Sequence, residues 1–190
     1  PQSVDQRTAD LEKRSLDLAR QAVTDPLTLL PNRKGINEHL VELLEPMSRP
    51  EHRGELALLF LDLDEFKLVN DQHGHGAGDE VLCEVARRLL AITREADVVS
   101  RFGGDEFVVL TETDVTLQSM NALAQRILRA LEHPCNFGSG RAKVGASIGV
   151  ALCPESIGHA RELIQWADDA MYEAKRSGKG RVCQAKMAAA

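Results

Sequence analysis

Apolar residues first recur every seven positions, at Val4, Leu11 and Leu18, with charged residues between them. That spacing predicts a helix over residues 4–22. It suits either a short coiled coil or an amphipathic helix packed on its own domain. Pro26 disfavours helical angles at Asp25 and ends this segment, and Leu30-Pro31-Asn32 makes a second break. A helix is predicted from Asn32 to Met47, with Ile36, Leu40, Leu43 and Leu44 on one face. The run Leu-Ala-Leu-Leu-Phe-Leu within Glu55–Asp62 is continuously apolar, as in a strand buried on both faces. Helical patterns follow at 64–72 and 77–93, then strands at 97–102 and 106–111 around Gly103-Gly104, a hairpin signal. A helix over 116–132 precedes strands at 134–137 and 141–152, joined by a Gly138-Ser139-Gly140 turn. A last helix spans 159–177, and Arg181–Gln184 suits an edge strand. The order βααββαββα predicts an α+β fold, an α/β sandwich with a mixed, mostly antiparallel central sheet. The tail, residues 185–190, is expected to be disordered.

Composition narrows the function. In 190 residues, 43% are apolar, enough for one buried core. Lys and Arg total 23 against 29 Asp and Glu, a net charge of −6, which argues against a nucleic-acid partner. It leaves room for an anionic ligand held by a local basic cluster. No apolar run reaches membrane-spanning length, and no signal peptide opens the chain. The start at Pro1-Gln2 suggests a piece of a longer protein with a domain upstream. Cys83, Cys135, Cys153 and Cys183 form no CxxC pair and no zinc spacing with His. They read as reduced thiols in a cytoplasmic protein, or in the cytoplasmic part of a membrane-bound sensor.

Candidate chemistry gathers at four places. Asp62 and Asp64 end the buried strand and share a face if it continues. A buried carboxylate needs a partner; Asp62 suits a metal ligand, and Asp64 suits an N-cap of the next helix. Gly103-Gly104-Asp105-Glu106 puts two carboxylates on a tight hairpin. Were that hairpin beside the Glu55–Asp62 strand, Asp62 and Asp105 could share a cation. Gly74-His75-Gly76-Ala77-Gly78-Asp79 reads as a glycine-rich loop opening a helix, with Asp79 in its first turn. Lys175, Arg176, Lys179 and Arg181 form either a solubilising charge run or a phosphate clamp.

Taken together, these segments resemble GGDEF-domain diguanylate cyclases. Arg101-Phe102-Gly103-Gly104-Asp105-Glu106-Phe107 is similar to the family signature. Asp25-Pro26-Leu27-Thr28 with Pro31-Asn32-Arg33 resembles its entry turn, and Phe60–Lys67 with Asn70-Asp71 its nucleotide segment. Gly74-His75-Gly76 with Gly78-Asp79, and Asp168–Tyr172 with Ala174-Lys175, follow in family order. The likeness covers about residues 24–182. It departs at Gly178-Lys179-Gly180, where the family often has Gly-Arg-Asn, and at Leu30, read as a position where the family often has Gly.

The resemblance implies a nucleotidyl-cyclase-like domain over 24–184, preceded by a signalling helix over 1–23. It implies condensation of two GTP into cyclic di-GMP with loss of two pyrophosphates, in a homodimer governed by an upstream sensor domain. Two Mg²⁺ ions per half-site, or Mn²⁺, would be held by Asp62, the main chain of Leu63, Asp105 and Glu106. Asp105, Glu106 and Lys67 would be catalytic. GTP would meet Phe66, Lys67, Asn70, His75, Asp79, Gly103, Gly104, Lys175 and Lys179. Asn70 and Asp79 would read guanine, whose N1–H and N2–H₂ donors a carboxylate can accept. Arg94 and Asp97 match an RxxD product-inhibition site, or else a helix-end ion pair. The alternative to an enzyme is a catalytically silent module that binds GTP or cyclic di-GMP.

Overall fold

The computed structural model describes residues 21–47, 56–138, 140–153 and 160–185. The helix expected over 4–22 lies outside the described residues up to position 20; residues 21–23 are helical. The tail from residue 186 also lies outside them.

Asn32 opens helix α1 (Arg33–Met47) by accepting from the amides of Lys34 and Gly35 at 2.9 and 3.0 Å, an N-cap arrangement. Strand β1 (Ala57–Asp64) is buried along its whole length, as its apolar run predicts. Two helices, α2 (Phe66–His73) and α3 (His75–Ile92), follow it. Strands β2 (Val98–Gly103) and β3 (Glu106–Thr111) form the expected hairpin, followed by α4 (Leu117–Leu131), which Thr116 caps. A small β4–β5 hairpin (Cys135–Phe137, Gly140–Ala142) precedes β6 (Gly145–Leu152), α5 (Ala160–Arg176) and β7 (Val182–Gln184).

The central sheet runs β2-β3-β1-β6-β7, antiparallel except for the parallel β6–β7 pair. This is the mixed, mostly antiparallel sheet of an α+β fold. Strand alternation sends Ala57, Leu59, Leu61 and Leu63 into one core with α2, α3 and α4. It sends Leu58 and Phe60 into a second core with Ile36 and Leu40 of α1 and with Leu163, Ala167 and Met171 of α5. The site-bearing end of β1 is thus clamped from both sides.

The structure corrects several sequence-based expectations. The single strand expected over 141–152 is two, β5 and β6, which belong to different sheets. Both are extended, so the hydrophobic pattern could not separate them. The expected glycine-rich loop is mostly helix: Gly74 alone, at φ 82°, separates α2 from α3. Asp79 therefore sits in the second turn of α3, not the first. Asp64 is no N-cap; Glu65 occupies that position at φ 64°, without a side-chain cap bond. In the entry turn the left-handed residue is Leu29, at φ 61° and 76% exposed, whereas Leu30 is buried. Position 29, rather than 30, is where glycine would relieve the backbone.

The four cysteines are free of disulfides. Among the described residues, no helix is long and apolar enough to cross a membrane.

Candidate active site

Antiparallel pairing of β1 with β3 sets Asp62 opposite Glu106, and the Leu63 amide donates to the Asp105 carbonyl at 3.1 Å. The hairpin turn is thereby fastened to the end of β1 through main-chain atoms. From α5, Lys175 Nζ reaches Asp62 Oδ2 at 2.6 Å.

The electrostatics follow from crowding. Burial pushes the Asp62 carboxyl above its ordinary range; Lys175 opposes this, and Asp105 and Asp64 add to it. Burial also raises Glu106, reinforced by Asp62, Asp168 and Asp105. Burial raises Asp168 too, with help from Asp169 and against Lys175. Several carboxylates thus face one ammonium, and like charges at close range disfavour full ionisation. Asp168, whose charge bears on Glu106, is a further carboxylate at this cluster that the sequence motifs do not single out.

This donor set is all carboxylate and carbonyl oxygen, the hard-ligand chemistry that suits Mg²⁺ or Mn²⁺. The excess negative charge fits a cation. As the side chains stand, no three His, Cys, Asp or Glu among the described residues are placed to hold one ion together. Lys175, expected at the phosphates, is paired with Asp62 in this structure. Lys179 likewise pairs with Glu65, at 3.7 Å.

Beside the carboxylates lies a cavity of about 280 Å³. Of the expected nucleotide residues, Phe66, Lys67, Asn70 and His75 line it, with Asp79 on α3 and Gly104 and Asp105 on the hairpin. Gly103, Lys175 and Lys179 are not in its lining. A larger cavity, about 840 Å³, lies at the entry turn against Leu29 and Pro31, away from the carboxylates.

Arg101, named in the signature but given no role, proves to be the brace of the hairpin. Its Nε and Nη2 donate to the Gly104 carbonyl at 3.0 and 2.8 Å, and Nη1 donates to both Asp25 oxygens at 3.2 Å. Burial opposes the Asp25 charge, but Thr28 and Arg101 outweigh it and hold its carboxyl below the usual range. The entry turn and the β2–β3 hairpin are therefore one braced unit.

Arg94 and Asp97 stand apart from this centre. Asp97 Oδ2 accepts from the Arg94 amide at 2.8 Å, while the Arg94 guanidinium reaches Thr113 Oγ1 at 3.2 Å and Asp114 at 3.4 Å. The two side chains do not form the helix-end ion pair that their spacing also allowed. Asp97 Oδ1 is buried with no hydrogen-bond partner.

The family model described as "Diguanylate cyclase, GGDEF domain" matches residues 22–181. The chain belongs to this family. Diguanylate cyclase TpbB of Pseudomonas aeruginosa is 40% identical over 173 residues, covering 90% of this chain and 39% of that protein. The chain thus spans about two fifths of that GGDEF relative. A TpbB structure comprising only the GGDEF domain matches at TM-score 0.80 and 38% identity, over 86% of this chain and 95% of that one. The coiled coil and GGDEF domain of DgcB from Caulobacter crescentus, in complex with c-di-GMP, matches at TM-score 0.84 and 27% identity. It covers 97% of this chain and 100% of that one.

Proposed function

We propose that residues 24–184 form a diguanylate cyclase domain that condenses two GTP into cyclic di-GMP and two pyrophosphates. The observation that supports this reading is the main-chain fastening of the Asp105-Glu106 hairpin to the Asp62 end of β1, beside the cavity that Lys67, Asn70, Asp79 and Asp105 line. One domain offers one such cavity, so catalysis takes a homodimer in which two bound nucleotides face each other. Each 3′-oxygen forms a bond to the α-phosphorus of the opposite GTP, and the bond to pyrophosphate breaks.

In this scheme Asp79 and Asn70 read the guanine edge. Adenine lacks the N1 donor and would leave Asp79 unpaired, a costly mismatch. Asp105 takes the 3′-hydroxyl proton on a carboxylate oxygen, and Lys67 offsets charge building on the phosphates. Asp62, the Leu63 carbonyl, Asp105 and Glu106 would hold Mg²⁺, with Mn²⁺ as a substitute. Bound there, the two cations would neutralise phosphate charge and act as Lewis acids. Lys175 and Lys179 meet the terminal phosphates once drawn from Asp62 and Glu65. An upstream sensor sets the pairing of the two domains through the helix before residue 24. The setting is the cytoplasm, where GTP is available.

The test is incubation with GTP and Mg²⁺, followed by chromatographic separation of nucleotides. Cyclic di-GMP as product supports the reading. GTP binding without product at any protein concentration favours a silent binding module instead.

Two further results are expected. Gly78 lets α3 pass close to α2: a Cβ there would lie 2.0 Å from Asn70 Oδ1 and 3.2 Å from Phe66 Cζ. Gly78→Ala therefore turns the Asn70 amide away while the helices stay packed. The KM for GTP should rise about tenfold, the worth of one good hydrogen bond in a discriminating site. An unchanged KM would count against Asn70 as a guanine reader.

Arg94 and Asp97 form the proposed product site, with the guanidinium free to leave Asp114 for a phosphate. Arg94→Ala should keep the initial rate and raise the cyclic di-GMP concentration needed for half-inhibition about tenfold. Progress curves with added product measure both.

A further inference from the structure

Asp64 is a buried carboxylate that the scheme above leaves idle. It is 7% exposed at the end of β1, two residues from the acidic Asp62. Its hydrogen bonds come from neutral donors: Ser147 Oγ on β6 at 2.8 Å and the Gly180 amide at 2.9 Å. A buried carboxylate costs stability unless hydrogen bonds satisfy it, as these two do.

What they hold is the loop between α5 and β7. Gly178, Lys179 and Gly180 lie at φ 116°, 60° and 57°, all in the left-handed half of the map. Lysine adopts that conformation only at a cost, so the loop needs outside support. The helix side closes it through Lys179 N to Ala174 O, at 3.1 Å. On the sheet side Asp64 holds Gly180, and next to it the Ile148 amide of β6 donates to the Arg181 carbonyl at 2.9 Å. Ser147, fully buried, aims the carboxylate. The Lys179 ammonium consequently stands over Glu65, next in sequence after Asp64.

We propose that Asp64 is a positioning residue: through Gly180 it latches the left-handed loop so that Lys179 faces the β- and γ-phosphates of the bound nucleotide. This rests on the cyclase reading of the site. Asp64 then sets how well the protein tells a guanosine triphosphate from a monophosphate, which lacks those phosphates. The latch needs an acceptor at position 64 rather than a charge. Asparagine can supply one, with the Ser147 hydroxyl turning to accept from its amide.

The experiment is calorimetric binding of a non-hydrolysable GTP analogue with Mg²⁺, and of GMP, to wild type, Asp64→Ala, Asp64→Asn, Lys179→Ala and the double alanine variant. Asp64→Ala should weaken the triphosphate analogue about tenfold, as Lys179→Ala does, since a lost charged contact is worth that much. GMP affinity should be unchanged, Asp64→Asn should restore the triphosphate, and the double variant should be no worse than either single one. Equal losses for both nucleotides would reveal a merely structural role and overturn the latch. So would additive losses in the double variant, or an Asp64→Ala protein that binds normally. Should Asp64→Ala not fold, Ser147→Ala replaces it: a loss confined to the triphosphate supports the latch, and an equal or absent loss overturns it. A wild type that binds neither nucleotide overturns the cyclase reading and the latch with it. A wild type that binds both, beside an unaffected variant, overturns the latch alone.

Discussion

Asp105→Ala should abolish the proposed cyclic di-GMP synthesis while the domain stays folded. The fold survives because the tie between the hairpin and β1 is main-chain: Leu63 N–H to the Asp105 carbonyl, which alanine keeps. Arg101 grips the Gly104 carbonyl from the other side, also independently of the Asp105 side chain. Synthesis falls because the carboxylate proposed to take the 3′-hydroxyl proton and share the cations is gone. Stabilisation of that kind is worth several kcal/mol. At about 1.4 kcal/mol per factor of ten, a loss of ~4 kcal/mol lowers the rate roughly a thousandfold. Nucleotide chromatography and a thermal melt decide the matter together. Residual synthesis above about a tenth of wild type, with an unchanged Tm, would remove Asp105 from its assigned role.

Gly149→Ala has its large effect on stability. Gly149 lies on β6, opposite Phe60 of β1 and Cys183 of β7. A Cβ there would fall 1.9 Å from the Ala167 carbonyl oxygen and 2.3 Å from the Met171 amide nitrogen. Both are backbone atoms of α5, so no side chain can swing away to make room. The helix must lift from the sheet, and overpacking of a rigid contact costs about 3 kcal/mol. At roughly 2–4 °C per kcal/mol for a chain of this size, Tm should drop by about 6–12 °C. Because α5 also carries Lys175 and Asp168, its displacement should lower activity at temperatures where the variant is still folded. A Tm within about 2 °C of wild type would mean that α5 rides on β6 with slack.

The clash at Gly149 had no mark in the chain, but much of what surrounds Asp105 did. The β1 run, fully buried as expected, announced itself because a strand sandwiched between helix layers needs apolar side chains on both faces. The β2–β3 hairpin was visible in Gly103-Gly104, and the β1–β3 pairing sets it beside β1, with Glu106 opposite Asp62. Phe66, Lys67, Asn70, His75 and Asp79, grouped by their motifs, line one cavity. Helix boundaries were harder. Gly76 and Gly78 read as loop formers, yet both sit inside α3; at Gly78 the close approach of α2 leaves no room for a larger residue. Leu29 in a left-handed turn carries no local mark at all. Asp64 looked like a cap because an aspartate before a helix usually is one.

Local pattern was enough to place the order of elements, the burial of β1, the acidic hairpin and the family to which the chain belongs. These are written in short-range periodicity and in ordered motifs, which need no knowledge of the partners. Only the tertiary structure decided what each charge faces. Lys175 rests on Asp62, Arg101 spans from Gly104 to Asp25, and Asp64 reaches Gly180 across 116 positions. Pairs so distant are brought together by the packing of both cores, and the hydrophobic pattern that drives that packing is indifferent to which polar groups it leaves in contact.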